Sequence, residues 1–322
     1  MNITMSHGAG GQITADLIKN VFFKYFKNNI LEKCEDGAIL NLTGKIAYTT
    51  DSFVVEPIIF NGGDIGKLAI CGTVNDLCAM GAIPKFLTAS FIIGEGFPIE
   101  LLEKIVKSMS ETAKETGVLI VAGDTKVVET KGIFVNTSGI GEVFLENISI
   151  SNSKAGDRLI LTGNLGDHQV AIMSKRMEIE NDIKSDVAPL VSLVTALKNI
   201  PVHTMRDVTR GGLATVLHEL CEQSKCGVNI YENTIPVNET VKGFCNVLGL
   251  EPIYMGNEGK MLISVPENYA DKALDIVKKC KYCEDAVIIG EVVLGNEVIF
   301  KTNIGSERIL KPMYSEGLPR IC

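Results

Sequence analysis

The chain has 322 residues, 46% hydrophobic and 22% charged, with 31 Lys and Arg against 39 Asp and Glu for a formal net charge of −8. That length and apolar share suit about two folded domains and argue against intrinsic disorder. No apolar run approaches the roughly 18 residues of a membrane span, and the basic residues are too scattered to form a nucleic-acid stripe.

The opening MNITMSHGAGG has neither the basic region nor the apolar core of a secretory leader, so a cytoplasmic protein is expected. Nine cysteines at irregular spacing fit reduced thiols better than a disulfide framework. Cys280 and Cys283 form a CxxC, but no second CxxC or nearby His pair completes a zinc set.

In chain order, His7-Gly8-Ala9-Gly10-Gly11 is a glycine cluster ahead of an amphipathic helix through Leu17, Ile18, Val21 and Phe22. Such a loop either closes over phosphates or is an ordinary flexible terminus. Residues 46–55 read as a strand that carries Asp51 within Thr49-Thr50-Asp51-Ser52. The stretch 62–84 reads as a helix, with Asp64 as N-cap and Gly81 as C′ glycine. Gly66, Ala69, Gly72 and Ala79 imply close approach of another backbone or a ligand. Asn75 and Asp76 place polar groups in this apolar helix, where a charge is costly unless paired or metal-bound.

A strand at 86–93, a helix at 99–116 stopped by Gly117, and a short apolar strand at 118–122 follow. That strand delivers Gly123-Asp124-Thr125-Lys126, either a surface turn or an acid with a countercharge held close to a ligand. Another strand spans 133–143, and the polar run 146–156 marks a domain boundary.

The second half opens with a strand at 158–162 and the turn Gly163-Asn164-Leu165-Gly166-Asp167-His168, where His168 is expected as a surface cap. A strand at 202–208 ends in Asp207-Val208-Thr209-Arg210-Gly211-Gly212 and feeds a helix at 213–223. Met255-Gly256-Asn257-Glu258-Gly259-Lys260 is a polar island expected between two apolar strands. A helix at 269–279 and a strand at 286–293 precede the tail 311–322, which holds Pro312 and Pro319 and ends in Cys322. The cysteine is either part of a frayed end or a nucleophile on a tether.

Taken together, HGAGG, TTDSF, GDIGKLAICGTVNDL, GDTKVV, RDVTRGGLA, GNEGKM and the terminal PRIC resemble the HypE family of hydrogenase maturation proteins, the carbamoyl dehydratases, over the whole chain. That family lies in the ATP-dependent superfamily of aminoimidazole ribonucleotide synthetase, selenophosphate synthetase and thiamine monophosphate kinase. One departure is Val208, where the family pattern usually has proline, which loosens the turn and leaves the role of Asp207 open.

The resemblance implies an α+β, two-domain aminoimidazole ribonucleotide synthetase-like fold. Residues 1–150 would bind ATP and dimerise, 151–310 would form an α/β sandwich, and 311–322 would be an extended tail carrying the substrate cysteine. The N-terminal sheets of a homodimer would join into a barrel-like core. A carbamoyltransferase partner would load Cys322, the chain would dehydrate the carbamoyl group to a thiocyanate, and an iron-carrying maturation complex would accept the cyanide. By the same resemblance Asp51, Asp76 and Asp124 hold Mg²⁺, while Gly8, Gly10, Gly11, Asn75 and Thr125 contact the ATP phosphates. Glu258 and Lys126 serve the carbamoyl group, and which of them takes the proton stays open. A small-molecule kinase of the same superfamily and a non-catalytic assembly module are the competing readings.

Overall fold

The computed structural model describes residues 2–9, 11–35 and 37–313. The opening amphipathic stripe forms two short helices, α1 (Gln12–Leu17) and α2 (Phe23–Phe26), joined by a wider turn at 18–22. This segment buries Leu17, Val21 and Phe22, three of the four residues whose spacing predicts the helix, and leaves the fourth, Ile18, half-buried; Phe26 and Phe91 are buried with them. Strand β1 (Ile46–Phe53) and the small hairpin β2 (Ile59–Phe60) and β3 (Gly63–Asp64) lead into α3 (Ile65–Ala79).

The Asp64 carboxylate caps α3, accepting from the amides of Gly66 at 2.7 Å and Lys67 at 3.0 Å. Gly81 follows the helix with φ +69°. The glycines within α3 are there for close approach. A Cβ on Gly66 would lie 2.4 Å from the Ile105 carbonyl on α4 (Ile99–Thr116), and one on Gly72 would lie 2.7 Å from the Phe53 ring on β1. Leu68, Ile70 and Val74 are fully buried, each contributing about 1.5–3 kcal/mol.

Strands β4 (Ala82–Gly94), β5 (Leu119–Val128) and β6 (Ile133–Val143) complete a sheet ordered β1-β6-β4-β5, parallel only between β4 and β5. Helices α3 and α4 cover one face. The other exposes Ile46, Tyr48 and Ile92, and the sheet is an open one rather than a closed barrel. The Gly123-Asp124-Thr125-Lys126 motif is not a turn after a short strand, because β5 continues straight through it.

The second half contributes β7 (Asp157–Leu161), α5 (Asp167–Arg176), α6 (Val191–Ala196), β8 (Thr204–Asp207), α7 (Gly212–Ser224) and β9 (Gly227–Tyr231). After these come α8 (Glu239–Leu248), β10 (Met261–Pro266), α9 (Ala270–Val277), β11 (Val287–Val293), β12 (Val298–Lys301) and β13 (Glu307–Ile309). Its seven strands run in the order β13-β12-β9-β11-β7-β10-β8, antiparallel except for β12 against β9. The island at 255–260 follows α8 and a short turn at Pro252–Tyr254, not a strand. His168 is no surface cap: it is fully buried, with Nδ1 2.7 Å from the Ser185 hydroxyl and its ring edge-on to Phe60.

The Tyr254 hydroxyl donates to the Lys311 carbonyl at 2.9 Å, fixing the start of the C-terminal segment beside the 255–260 loop. Gly10 and Cys322 lie outside the described residues. Among the described residues all eight cysteines are free, and no helix is long and apolar enough to cross a membrane.

Candidate active site

Acidic side chains from both halves meet where α3 and β1 face the end of β8. Odd-numbered residues of β1 point toward α3, so Thr49 and Asp51 share that side. The Thr49 hydroxyl donates to Asp76 at 2.8 Å, and Asp51 reaches the surface of α3 over Gly72, a residue small enough to admit it. Asp207 approaches from β8. Burial, then the nearby Asp207 and Asp51, push the Asp76 carboxyl up to about 6 against the Thr49 hydrogen bond. Burial also raises Asp51, with Arg210 opposing. Such crowding of hard oxygen donors favours a cation or a cationic side chain among them.

The 255–260 island supplies the next group. Asn257 is completely buried and serves as a splice: its carbonyl oxygen accepts from Gly166 at 2.8 Å, and its amide donates to the carbonyls of Val208 and Met255. Gly259 packs against the preceding segment so closely that a Cβ would lie 2.0 Å from the Asp186 carbonyl. Between them, half-buried Glu258 faces the acidic cluster. Burial, Asp186, Asp207 and Asp51 hold its carboxyl well above the usual carboxylate range, with Arg210 opposing.

Asn75 joins the halves. Its amide donates to the Ala188 carbonyl at 3.0 Å and the Glu258 carbonyl at 3.3 Å, while its oxygen accepts from Leu190 at 2.8 Å. These contacts occupy the side chain with main-chain atoms of the second half, so its place in the structure is that of a domain fastener rather than a group presented to phosphates.

The expected trio of Asp51, Asp76 and Asp124 does not come together within one chain. Register places Asp51 in one row with Thr137, Ala89 and Gly123, and Thr137 donates to the Ala69 carbonyl of α3 at 3.1 Å. Asp124 is one residue further along, in the row of Ser90, Asn136 and Ser52, and so leaves the sheet on its opposite face. It accepts from Lys126 at 3.2 Å, and both side chains are exposed. Lys126 therefore does not stand with Glu258 in the same chain either. Among the described residues no three His, Cys, Asp or Glu side chains converge to hold a metal by themselves. Asp51, Asp76 and Asp207 suit a divalent ion that keeps waters and takes most of its oxygens from phosphates, and do not suit an all-protein cage.

Asp124 and Lys126 belong to a second constellation, at the open edge of β5. A Cβ on Gly8 would lie 2.6 Å from the Val127 amide, so the glycine loop rests directly on that strand. Gly8, Asp124, Thr125 and Lys126 rim a pocket of about 250 Å³ whose floor includes Phe22, Phe26 and Phe91. Gly11 precedes α1 at φ +79°.

Sequence reasoning left Arg210, Asp186 and Lys260 out of the site. Arg210 and Lys260 sit inside motifs already singled out, while Asp186 has no local signal and is found only through its contacts.

Residues 34–143 match the AIR synthase related protein N-terminal domain, and residues 154–302 match the corresponding C-terminal domain, which makes this a two-domain protein of the AIR synthase-related class. The carbamoyl dehydratase HypE of Escherichia coli K12 is 41% identical over 335 residues, spanning 100% of this chain and 99% of that protein. A crystal structure of hydrogenase maturation protein HypE in complex with ATP superposes with a TM-score of 0.96 at 40% identity, covering 99% of each chain. A chain from a HypE–HypF complex gives a TM-score of 0.82 at 50% identity, over 92% of this chain and 99% of that one. The chain belongs to the HypE carbamoyl dehydratase family.

Proposed function

We propose that this chain uses ATP to dehydrate an S-carbamoyl group on its own Cys322 to a thiocyanate, supplying cyanide for the iron of a [NiFe]-hydrogenase. The observation that carries this reading is the meeting of Asp51, Asp76, Asp207 and Arg210 with Glu258 between the two halves of a carbamoyl dehydratase-family chain. Family relatives named for the reaction, and one solved with ATP, support it.

Oxygen is a poor leaving group from a thiocarbamate. The carbamoyl oxygen attacks the γ-phosphorus, the bond to ADP breaks, and loss of one of the two nitrogen-bound protons gives an O-phosphorylated thioimidate. Loss of the second nitrogen-bound proton and cleavage of the C–O bond then give S–C≡N and phosphate, so the carbamoyl oxygen leaves in phosphate. Glu258, fixed between Asn257 and Gly259, would receive a nitrogen-bound proton, and Lys126 would balance charge on the oxygen. Asp51, Asp76 and Asp207 would hold Mg²⁺, which supplies charge neutralisation at the phosphates.

Thr125 and the glycine loop, on the helix-covered side of β5, would face this centre from a second copy, with Asp124 and Lys126 beside them on the same strand. Neither edge of the N-terminal sheet pairs with a further strand among the described residues, and its helix-free face exposes Ile46, Tyr48, Ile92 and Leu119. Pairing β1 of one copy with β5 of another would close two sheets into a barrel-like core and set Asp51 beside the other copy's glycine loop. Gly8, Gly11 and Thr125 then cover the nucleotide across the seam, and Gly10 would join them. The partners are a carbamoyltransferase, in line with the relative solved with HypF, and an iron-carrying complex that accepts cyanide. The eight free thiols among the described residues fit a reducing cytoplasm.

Intact-mass spectrometry of the carbamoylated chain before and after ATP tests the reading. Loss of one water from the C-terminal peptide is the expected result. ATP hydrolysis that ignores carbamoylation would favour a small-molecule kinase instead.

A further inference from the structure

Behind the Glu258 loop lies a buried cluster that the proposed chemistry leaves unused. Asp186 belongs to the segment between α5 and α6, and its side chain is only 2% exposed. One of its carboxylate oxygens accepts from the Glu258 amide at 3.1 Å, and the Gly259 amide also faces it. The other oxygen stands 4.0 Å from the Lys260 ammonium, itself on a side chain only 11% exposed. That second oxygen has no hydrogen-bond partner among the described residues, and neither does Oδ1 of Asp167 at the start of α5. A lone buried carboxylate would be costly, and the lysine offsets that cost only while it stays in place. The pair thus brackets Glu258: Asp186 grips its amide from below, and Lys260, two residues on, is the counterion.

We propose that Asp186 and Lys260 are positioning residues, a buried ion pair that sets the direction in which the Glu258 carboxylate is presented to the carbamoyl nitrogen. This rests on the reading of Glu258 as proton acceptor given above. The groups facing Glu258 are Asp186 from beneath, with Lys260 as its counterion, Asp207 and Arg210 from the end of β8 and the turn after it, and Asp51 from β1. Of these only Asp186 also holds its main chain, through the Glu258 amide. Misplacing a reacting group by about 1 Å costs on the order of a hundredfold in rate.

The test is a double-mutant cycle on the full chain, loaded at its C-terminus by its carbamoyltransferase partner, with single-turnover thiocyanate formation followed by mass spectrometry. Asp186→Ala is expected to slow the step about a hundredfold, and Asp186→Asn, which keeps an accepting oxygen for the Glu258 amide, about tenfold. Lys260→Met should resemble Asp186→Ala. ATP affinity, measured by calorimetry, stays at the wild-type value in all three and also certifies folding. In a Glu258→Gln background, Asp186→Ala and Asp186→Asn should cause little further loss, because they act through that carboxylate. Full additivity in that background, or a wild-type rate for Asp186→Asn and Lys260→Met, overturns the proposal while leaving Glu258 in place. A wild-type rate for Glu258→Gln alone overturns the underlying reading instead.

Discussion

Asp51 and Asp124 leave opposite faces of one four-stranded sheet, because Asp51 shares its row with Gly123 and Asp124 falls one residue beyond it. Two groups with the same charge and the same expected ligand are thereby assigned to different surfaces of the chain. If two copies complete each other's sites, the groups are complementary in trans. Mixing a Lys126→Ala chain with a Glu258→Gln chain should then restore thiocyanate formation, since each mixed dimer holds one site with both residues intact. Activity is expected to approach about half that of wild type per mixed dimer, by counting sites. A mixture as inactive as its components would place both residues in one chain's site.

Asp76 is a destabilising carboxylate in the ligand-free protein. Its folded-state value is raised from 3.8 to about 6, so the folded chain binds the proton more tightly than the unfolded one. Stability is therefore retained at acid pH and falls as pH rises from about 4 to about 6. Asp76→Asn, neutral throughout, should raise the melting temperature at pH 7 by a few degrees and give no gain near pH 4. The same variant should bind Mg-ATP about tenfold or more weakly, a loss of at least about 1.4 kcal/mol. Thermal melts at the two pH values and a calorimetric titration check both halves of this expectation.

Gly8→Ala is expected to weaken ATP binding about tenfold with little change in melting temperature. The added methyl would collide with the Val127 amide and lift the glycine loop from β5, at the edge of the sheet. An unaltered dissociation constant would remove the loop from the nucleotide site.

Asn75→Ala should behave as a stability mutant. It removes three hydrogen bonds between α3 and the second half and strands the buried Leu190 amide, a cost of about 2–4 kcal/mol. Denaturant unfolding measures it. A variant as stable as wild type that has lost only ATP affinity would return Asn75 to the phosphates.

Local features were legible in the sequence. The helix Ile99–Thr116 follows from its apolar period and from Gly117, which adopts φ +75°, and α3 follows from its cap and its glycines. What was not legible depends on register and on distant contact. A bulge in the β4–β5 pairing between Leu87 and Thr88 shifts β5 by one residue; without it, Asp124 would pair with Phe91 and face the helices alongside Asp51. Nothing in the composition of 118–128 announces that bulge. The buried His168 and the carboxylate of Asp186 were missed for a similar reason, since each is defined by a partner far along the chain.

The three partners of Asn75 are all main-chain atoms, at Ala188, Leu190 and Glu258. Any side chain that tolerates the same backbone path supplies the same donors and acceptors. For these three bonds the sequence requirement therefore falls on one amide in the first half and not on the side chains at 188, 190 and 258. An insertion between 188 and 190, silent in composition and charge, would part the two halves.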